Sequence, residues 1–173
     1  MNCSLAAALV LGATVGSAPA LPQRPMVYHV KSPDGHLDIA LRAGSDLTWS
    51  VDYDATPVIT PSTLALTLAS GEVLGSNPVV RGTKPMSVNE TITPVAYRKK
   101  TIADRYNELT VTLNGGYAVL LRAYDDGVAY RLVLDRTGDV TVKSESANFN
   151  FAGDYTAHVP PGRRKLQQGR ARL

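Results

Sequence analysis

Apolar and polar residues alternate along most of this chain, which is the period of a β-strand with one covered face. The alternation is clearest in three segments, 36–43, 47–53 and 63–70, and the turn Gly44-Ser45-Asp46 separates the first two. The positions predicted to point inward are Leu37, Ile39, Leu41, Leu47, Trp49, Val51, Tyr53, Leu64, Leu66 and Leu68. Alternating segments joined by tight turns predict antiparallel sheet.

Further strands are predicted at 27–31, 106–113, 117–124, 128–134, 140–146 and 149–159. Residues 54–62 are predicted to be interrupted by Pro57 and Pro61, and 71–94 to form short strands near 72–75, 78–81 and 87–93. No window has sustained helical spacing apart from the apolar start of the chain. About ten short strands with turns roughly every 8–12 residues are typical of a sandwich or barrel. The fold class is therefore predicted to be all-β, an antiparallel β-sandwich.

The segment from Leu120 to Asp135 is predicted to be the central hairpin. Asp126-Gly127 favours a type I′ turn, which would place Arg122 opposite Arg131. Two arginines facing each other repel, so an acidic side chain is expected beside them, either at the turn or from elsewhere.

The sequence of this hairpin also resembles a known family. The run Arg122-Ala123-Tyr124-Asp125-Asp126-Gly127-Val128-Ala129-Tyr130-Arg131 is similar to the N-terminal domain of glycoside hydrolase family 97. So are Asp104-Arg105-Tyr106-Asn107-Glu108-Leu109-Thr110-Val111 and the opening Ser32-Pro33-Asp34-Gly35. The resemblance runs from about Val27 to Tyr155, and beyond Tyr155 the chain departs from the family pattern.

The resemblance implies a β-sandwich that precedes a catalytic (β/α)-barrel in enzymes cleaving α-glucosidic or α-galactosidic bonds. Those enzymes use calcium, whose ligands and the catalytic carboxylates lie mostly in the barrel, with one glutamate from the later part of the N-terminal domain. No cofactor is expected in this chain. The expected partners are a catalytic barrel, absent from this sequence, and an α-linked oligosaccharide.

Composition and charge divide the chain into three parts. Residues 1–20 are predicted to be a secretory signal, with an apolar segment too short to span a bilayer and small residues at Ala18 and Ala20. Secretion or export to the periplasm is therefore expected, with no membrane span. Residues 21–160 are the predicted sandwich, and 161–173 a basic unstructured tail. The tail contains no aromatic residue and no nucleic-acid-binding motif accompanies it, so nucleic-acid binding is not expected.

Few residues are placed for chemistry. Asp125 and Asp126 are adjacent, and strand neighbours point to opposite faces, so they do not form a glycosidase pair. His29, His36 and His158 share no metal-ligand spacing, and the lone Cys3 lies within the predicted signal. The candidates for binding or for a domain interface are Asn107, Glu108, Arg122, Tyr124, Asp125, Asp126 and Arg131.

These observations predict a non-catalytic, carbohydrate-associated sandwich domain that scaffolds a catalytic barrel. The alternatives are a free-standing sandwich that binds carbohydrate or protein, and a hydrolase that acts alone. A sandwich without its later strands would expose a sheet edge and an apolar face, so the chain alone is expected to be poorly soluble or oligomeric.

Overall fold

A computed structural model describes residues 25–93 and 101–156 of the chain. The predicted signal, the charged run Tyr97 to Lys100, His158 and the predicted tail lie outside the described residues. The described part contains eleven strands and no helix. They are β1 Met26–Lys31, β2 Leu37–Ala43, β3 Leu47–Tyr53, β4 Thr56–Leu68, β5 Val73–Leu74, β6 Val80–Ile92, β7 Ile102–Leu113, β8 Tyr117–Tyr124, β9 Gly127–Leu134, β10 Val142–Ala147 and β11 Asn150–Phe151.

The strands form two antiparallel sheets. The first sheet has the order β1-β2-β3-β4-β10, and β5 and β11 also pair with β4. The second sheet has the order β6-β7-β8-β9. The predicted all-β antiparallel sandwich is confirmed.

The core lies between the sheets and is built from the alternate residues of their facing strands. Ile39 and Leu41 of β2 are fully buried, as are Val119 and Leu121 of β8. Full burial of such a side chain contributes ~1.5–3 kcal/mol relative to leaving it in water. The predicted inward positions are buried or half-buried with one exception, Tyr53, which is 48% exposed. Tyr53 is the last residue of β3 and stacks on His36 at the end of the sheet.

Two predicted interruptions are wrong, because the strands continue through the prolines. β4 runs unbroken past Pro57 and Pro61, since its register against β3 shifts twice between Trp49 and Asp52. Each shift is a bulge where a ladder hydrogen bond is already missing, which is where proline is tolerated in a sheet. β6 likewise runs through Gly82 and Pro85 as one strand, because it lies at the edge of the described second sheet.

The turn and register predicted for the central hairpin are also wrong. Tyr124 pairs with Gly127, so Asp125 and Asp126 form the two-residue loop. Arg122 therefore faces Ala129, and Arg131 faces Leu120, which avoids the repulsion between two opposed arginines. The positive φ pair of a type I′ turn occurs instead at Asp54 (47°) and Ala55 (62°), between β3 and β4.

The outer faces of the two sheets differ in composition. On β3 and β4 the outward positions include Thr48, Ser50, Thr63 and Thr67, as expected for a face in contact with water. The outer face of β7 and β8 instead contains aromatic, charged and apolar side chains. None of the described residues belongs to a helix that is long and apolar enough to cross a membrane.

Candidate functional site

Four side chains form a cluster on the outer face of the second sheet. β7 contributes Tyr106 and Glu108, and β8 contributes Arg122 and Tyr124. Each pair is two residues apart, so both of its members point to the same side of the sheet. The register sets Glu108 opposite Arg122 and Tyr106 opposite Tyr124. We call these four residues the Arg122 cluster.

Arg122 is the centre of this cluster. Its Nε donates a hydrogen bond to Glu108 Oε2 at 2.6 Å, and Nη1 donates to Tyr124 Oη at 3.4 Å. The guanidinium carbon lies 4.3 Å from the ring centroid of Tyr106, the geometry of a cation–π contact. The rings of Tyr106 and Tyr124 lie 5.0 Å apart, centre to centre. The acidic neighbour expected beside Arg122 is thus Glu108, which comes from the next strand.

Two side chains of the cluster are buried and two are half-buried, although the cluster lies outside the sandwich core. Tyr106 is 5% exposed and Glu108 is 7% exposed, because the Arg122 side chain and its neighbours cover them. The hydrogen bond to Glu108, and then that to Tyr124, raise the pKa of Arg122 above its usual value. Burial raises the pKa of the Tyr106 phenol. Arg122 therefore stays cationic and Tyr106 stays neutral across the physiological range.

The geometry of the cluster is that of a fixed ion pair beside two phenols. Glu108 already accepts a charge-assisted hydrogen bond from Arg122, so this oxygen is not placed to protonate a glycosidic oxygen. Glycoside hydrolysis needs two carboxyl groups on either side of one bond. An oriented guanidinium with nearby phenols is instead suited to binding planar or anionic groups.

Asn107 points to the opposite side of the sheet from Glu108. Its Nδ2 donates to the carbonyl of Lys31 at 2.8 Å, and Ser87 Oγ donates to its Oδ1 at 2.7 Å. Asn107 thus joins β1 of the first sheet to β6 and β7 of the second. The structure places it in a contact between the sheets and not in the Arg122 cluster.

Asp125 and Asp126 form the loop of the hairpin, and Arg131 pairs with Leu120 further along β9. Asp125 Oδ1 accepts a hydrogen bond from the backbone N–H of Asp34 at 2.9 Å, and its other oxygen lies 3.5 Å from Arg105 Nη1. Asp126 is exposed in the same loop. Arg131 is exposed on β9, on the same outer face as Arg122.

The sequence reasoning did not select Tyr106, Arg105 or Asp34 for the site. A signal for Tyr106 was present: it lies two residues before Glu108, as Arg122 lies two before Tyr124. Pairing the two segments about the Asn114-Gly115-Gly116 turn would have brought all four side chains to one face. The contact between Asp34 and Asp125 spans 91 residues and has no local signal.

Among residues 25–93 and 101–156, no three side chains of His, Cys, Asp or Glu are grouped to hold a metal ion. The carboxylates of Asp54 and Asp34 already have protein partners. His36 lies 2.6 Å from Asp54 Oδ1, and Ser32 Oγ donates to Asp34 at 2.5 Å. These residues do not fit a calcium ion.

Comparison with known proteins identifies the family. The sequence profile described as glycosyl-hydrolase 97 N-terminal matches residues 30–171 of the chain. The chain belongs to this family. The match extends past Tyr155, where the sequence reasoning placed the end of the resemblance, and includes most of the predicted tail.

Individual relatives of this family 97 N-terminal domain are larger glycosidases. A retaining alpha-galactosidase from Bacteroides thetaiotaomicron is 35% identical over 133 residues, which are 77% of this chain and 20% of the relative. The fold is similar to a glycoside hydrolase family 97 enzyme from Pseudoalteromonas sp. solved in complex with panose. That likeness has a TM-score of 0.67 at 24% identity and covers 72% of this chain and 20% of the other.

A beta-arabinopyranosidase structure is also similar, with a TM-score of 0.65 and 26% identity over 72% of this chain and 21% of the other. The family 97 N-terminal domain thus spans about one fifth of the length of the relatives it matches. Its homologues are domains of larger enzymes that also contain a catalytic domain.

Proposed function

We propose that this domain is the non-catalytic N-terminal sandwich of an α-glycosidase, which supports the catalytic domain and is associated with carbohydrate in that role. One observation carries the proposal: the Arg122 cluster is an ion-paired group with a buried carboxylate on the outer face of a sheet, outside the domain's own core. An ion pair that is taken out of water loses hydration energy. Its presence is therefore weak evidence that it serves only to stabilise the fold. A cluster kept at this position is suited to contact with a neighbouring domain or ligand.

The non-catalytic part of the proposal is supported by Glu108. It is the carboxylate of the Arg122 cluster, and Arg122 holds it as an ion pair at 2.6 Å. The expected result is that the full chain releases no chromophore from nitrophenyl α-galactoside or α-glucoside, with or without added calcium. Calcium-dependent release by the purified chain, lost on chelation, would establish a hydrolase that acts alone.

The supporting role is tested in a chimera. In the Bacteroides thetaiotaomicron alpha-galactosidase, residues 25–156 of this chain replace the homologous segment. We expect the chimera to be soluble and active, and the enzyme without that segment to be neither. A chimera no better than the deletion would contradict the scaffolding role. The variant that tests the Arg122 cluster is Glu108→Gln in the chimera, which keeps the size of the side chain and removes its charge.

A free-standing binding domain is the second candidate, and one observation favours it. Phe151 and Tyr155 are 53% and 57% exposed, and their ring centroids lie 5.9 Å apart. Exposed aromatic rings are common platforms for sugar rings. Retardation of the full chain, but not of Phe151→Ser, in a gel containing α-glucan would support this candidate over the scaffold.

Export is proposed on the leader sequence alone. Cleavage after Ala20 would leave Leu21 as the first residue of the mature protein. Mass spectrometry of the protein from a periplasmic or culture fraction tests this site. A full-length cytoplasmic product that begins at Met1 would contradict it.

A further inference from the structure

A hollow of about 120 Å³ lies on the outer face of the second sheet, between β8 and β9. It is lined by Leu120, Arg122, Tyr124, Ala129, Tyr130 and Arg131. The pairing explains why it forms. Tyr124 and Arg122 of β8 stand opposite Gly127 and Ala129 of β9, so a row of large side chains faces a row of small ones. Of these four residues, Ala129, Arg122 and Tyr124 line the hollow; we call the small Ala129 its floor and the large side chains its wall.

Two guanidinium groups border this hollow. Arg131 pairs with Leu120, and Arg122 pairs with Ala129, two residues along the strands. Arg122 and Arg131 are therefore diagonal neighbours on one face of the sheet. Glu108 neutralises part of the charge of Arg122 through Nε, and Arg131 is exposed on β9. The lining thus contains two cations and no acidic side chain. Such a site attracts an anion.

The rest of the lining is apolar or aromatic. Leu120 and Ala129 provide aliphatic surface, and the Tyr124 ring forms part of the wall beside Arg122. A small inorganic anion would contact the guanidinium groups and leave this surface uncovered. The lining is better matched by a ligand with one carboxylate and a ring that has C–H groups to pack on aliphatic and aromatic surface.

We propose that this hollow binds one uronic acid residue, a sugar ring with a single carboxylate. The carboxylate is received by Arg131 and by N–H groups of Arg122. Glu108 and Tyr124 engage two of the five donors that a guanidinium has. The ring packs over Ala129 against Tyr124. This inference goes beyond the proposed function, because it needs no catalytic domain and concerns an acidic sugar.

The test is an NMR titration of the isotope-labelled full chain with galacturonic acid, galactose and acetate. We expect galacturonic acid to shift the amide signals of β8 and β9, with the other two compounds at least about tenfold weaker. Binding should weaken as sodium chloride is added, since an exposed ion pair is screened by salt. Equal binding of galactose or acetate, or no binding of galacturonic acid, would overturn the proposal.

Two variants localise the site. Arg131→Gln removes one cation from an exposed position, and Ala129→Leu fills the floor; each should weaken galacturonic acid binding about tenfold or more. Arg42→Gln is the matched control, because Arg42 is an exposed arginine on β2 of the other sheet. A loss in Arg42→Gln equal to that in Arg131→Gln would show binding to general surface charge and would overturn the site.

Discussion

The backbone N–H of Asp34 donates a hydrogen bond to Asp125 Oδ1 at 2.9 Å, across 91 residues of sequence. Asp34 lies in the turn between β1 and β2 of the first sheet, and Asp125 lies in the β8–β9 loop of the second. This bond connects two sequence motifs that share no local pattern. It also explains why an aspartate, whose carboxylate accepts hydrogen bonds only, is suited to the first loop position.

The first prediction concerns this contact. Asp125→Ala removes the acceptor for Asp34 and the ion pair with Arg105, and should lower the free energy of unfolding by about 1 kcal/mol, because both contacts are partly exposed. Urea denaturation gives the value. Asp126→Ala, in the same loop, is the control and should change stability by less than ~0.5 kcal/mol. Equal effects of the two substitutions would remove the special role of Asp125.

The second prediction concerns the ion pair of Glu108 and Arg122. Glu108→Leu leaves Arg122 partly buried without its carboxylate partner and should lower the free energy of unfolding by about 2 kcal/mol. The loss is smaller than for a fully buried ion pair because Arg122 is one third exposed. Adding Arg122→Met should recover part of this loss, because an apolar pair replaces an unpaired charge. A double-mutant cycle by chemical denaturation measures the coupling. Additive losses would contradict it.

The third prediction concerns pH. The hydrogen bond to Asp54, aided by the charges of Asp54 and Asp34, raises the pKa of His36 above its usual 6.5. The folded state therefore binds the proton more tightly than the unfolded state. This stabilisation is complete below pH 6.5 and is lost as the pH rises through the pKa in the folded protein. NMR titration of the His36 ring should give a pKa above 6.5, and Asp54→Asn should lower it.

Asp38→Asn provides the control for this prediction. Asp38 Oδ1 lies 3.1 Å from His29 Nδ1, whereas Asp54 Oδ1 lies 2.6 Å from His36 Nδ1. Asp38→Asn should leave the pKa of His36 unchanged. An equal lowering of the His36 pKa by Asp38→Asn and by Asp54→Asn would point to a global change and not to the His36–Asp54 pair.

The fourth prediction concerns the β3–β4 turn. Ala55 has φ of 62°, a conformation that costs a residue with a Cβ roughly 1–2 kcal/mol. Ala55→Gly should therefore raise the free energy of unfolding by about 1 kcal/mol. Ala40→Gly, in the extended strand β2, is the control and should lower it by roughly 0.5–1 kcal/mol. Thermal and urea unfolding give the sign of each change.

The fifth prediction concerns self-association. Phe149, Phe151 and Tyr155 are each more than half exposed near the edge formed by β10 and β11. The double substitution Phe151→Ser and Tyr155→Ser should raise the monomer fraction of the full chain in analytical ultracentrifugation, because less apolar surface is available for contact. Thr93→Ser, a conservative change on the surface, is the control. A parent chain that sediments as a monomer and melts cooperatively would refute the expected association.

Alternation predicted the fold because Leu37, Ile39 and Leu41, and later Leu64, Leu66 and Leu68, follow the period of the sheet throughout. The breaks predicted at the prolines were wrong because proline is tolerated at a bulge or on an edge strand. Whether a residue lies at such a place depends on the neighbouring strands and not on the local sequence. The site was only partly predictable. Glu108 and Arg122 were selected separately, but their contact depends on the register of β7 against β8. Asn107 was selected beside Glu108, although strand neighbours point to opposite faces.

The pairing of β4 also affects the order of folding. One side of β4 pairs with β3, directly before it in sequence, whereas the other side pairs with β10 and β11. Thr60, for example, pairs with Asn150, and its Oγ1 donates a hydrogen bond to the Asn150 carbonyl, 90 residues later. At a synthesis rate of about 5–20 residues per second, that side of β4 waits roughly 5–18 seconds for its partner on the ribosome. During this interval the nascent chain presents one unpaired edge of a 13-residue strand. Chaperone binding to this segment would protect it until β10 and β11 emerge.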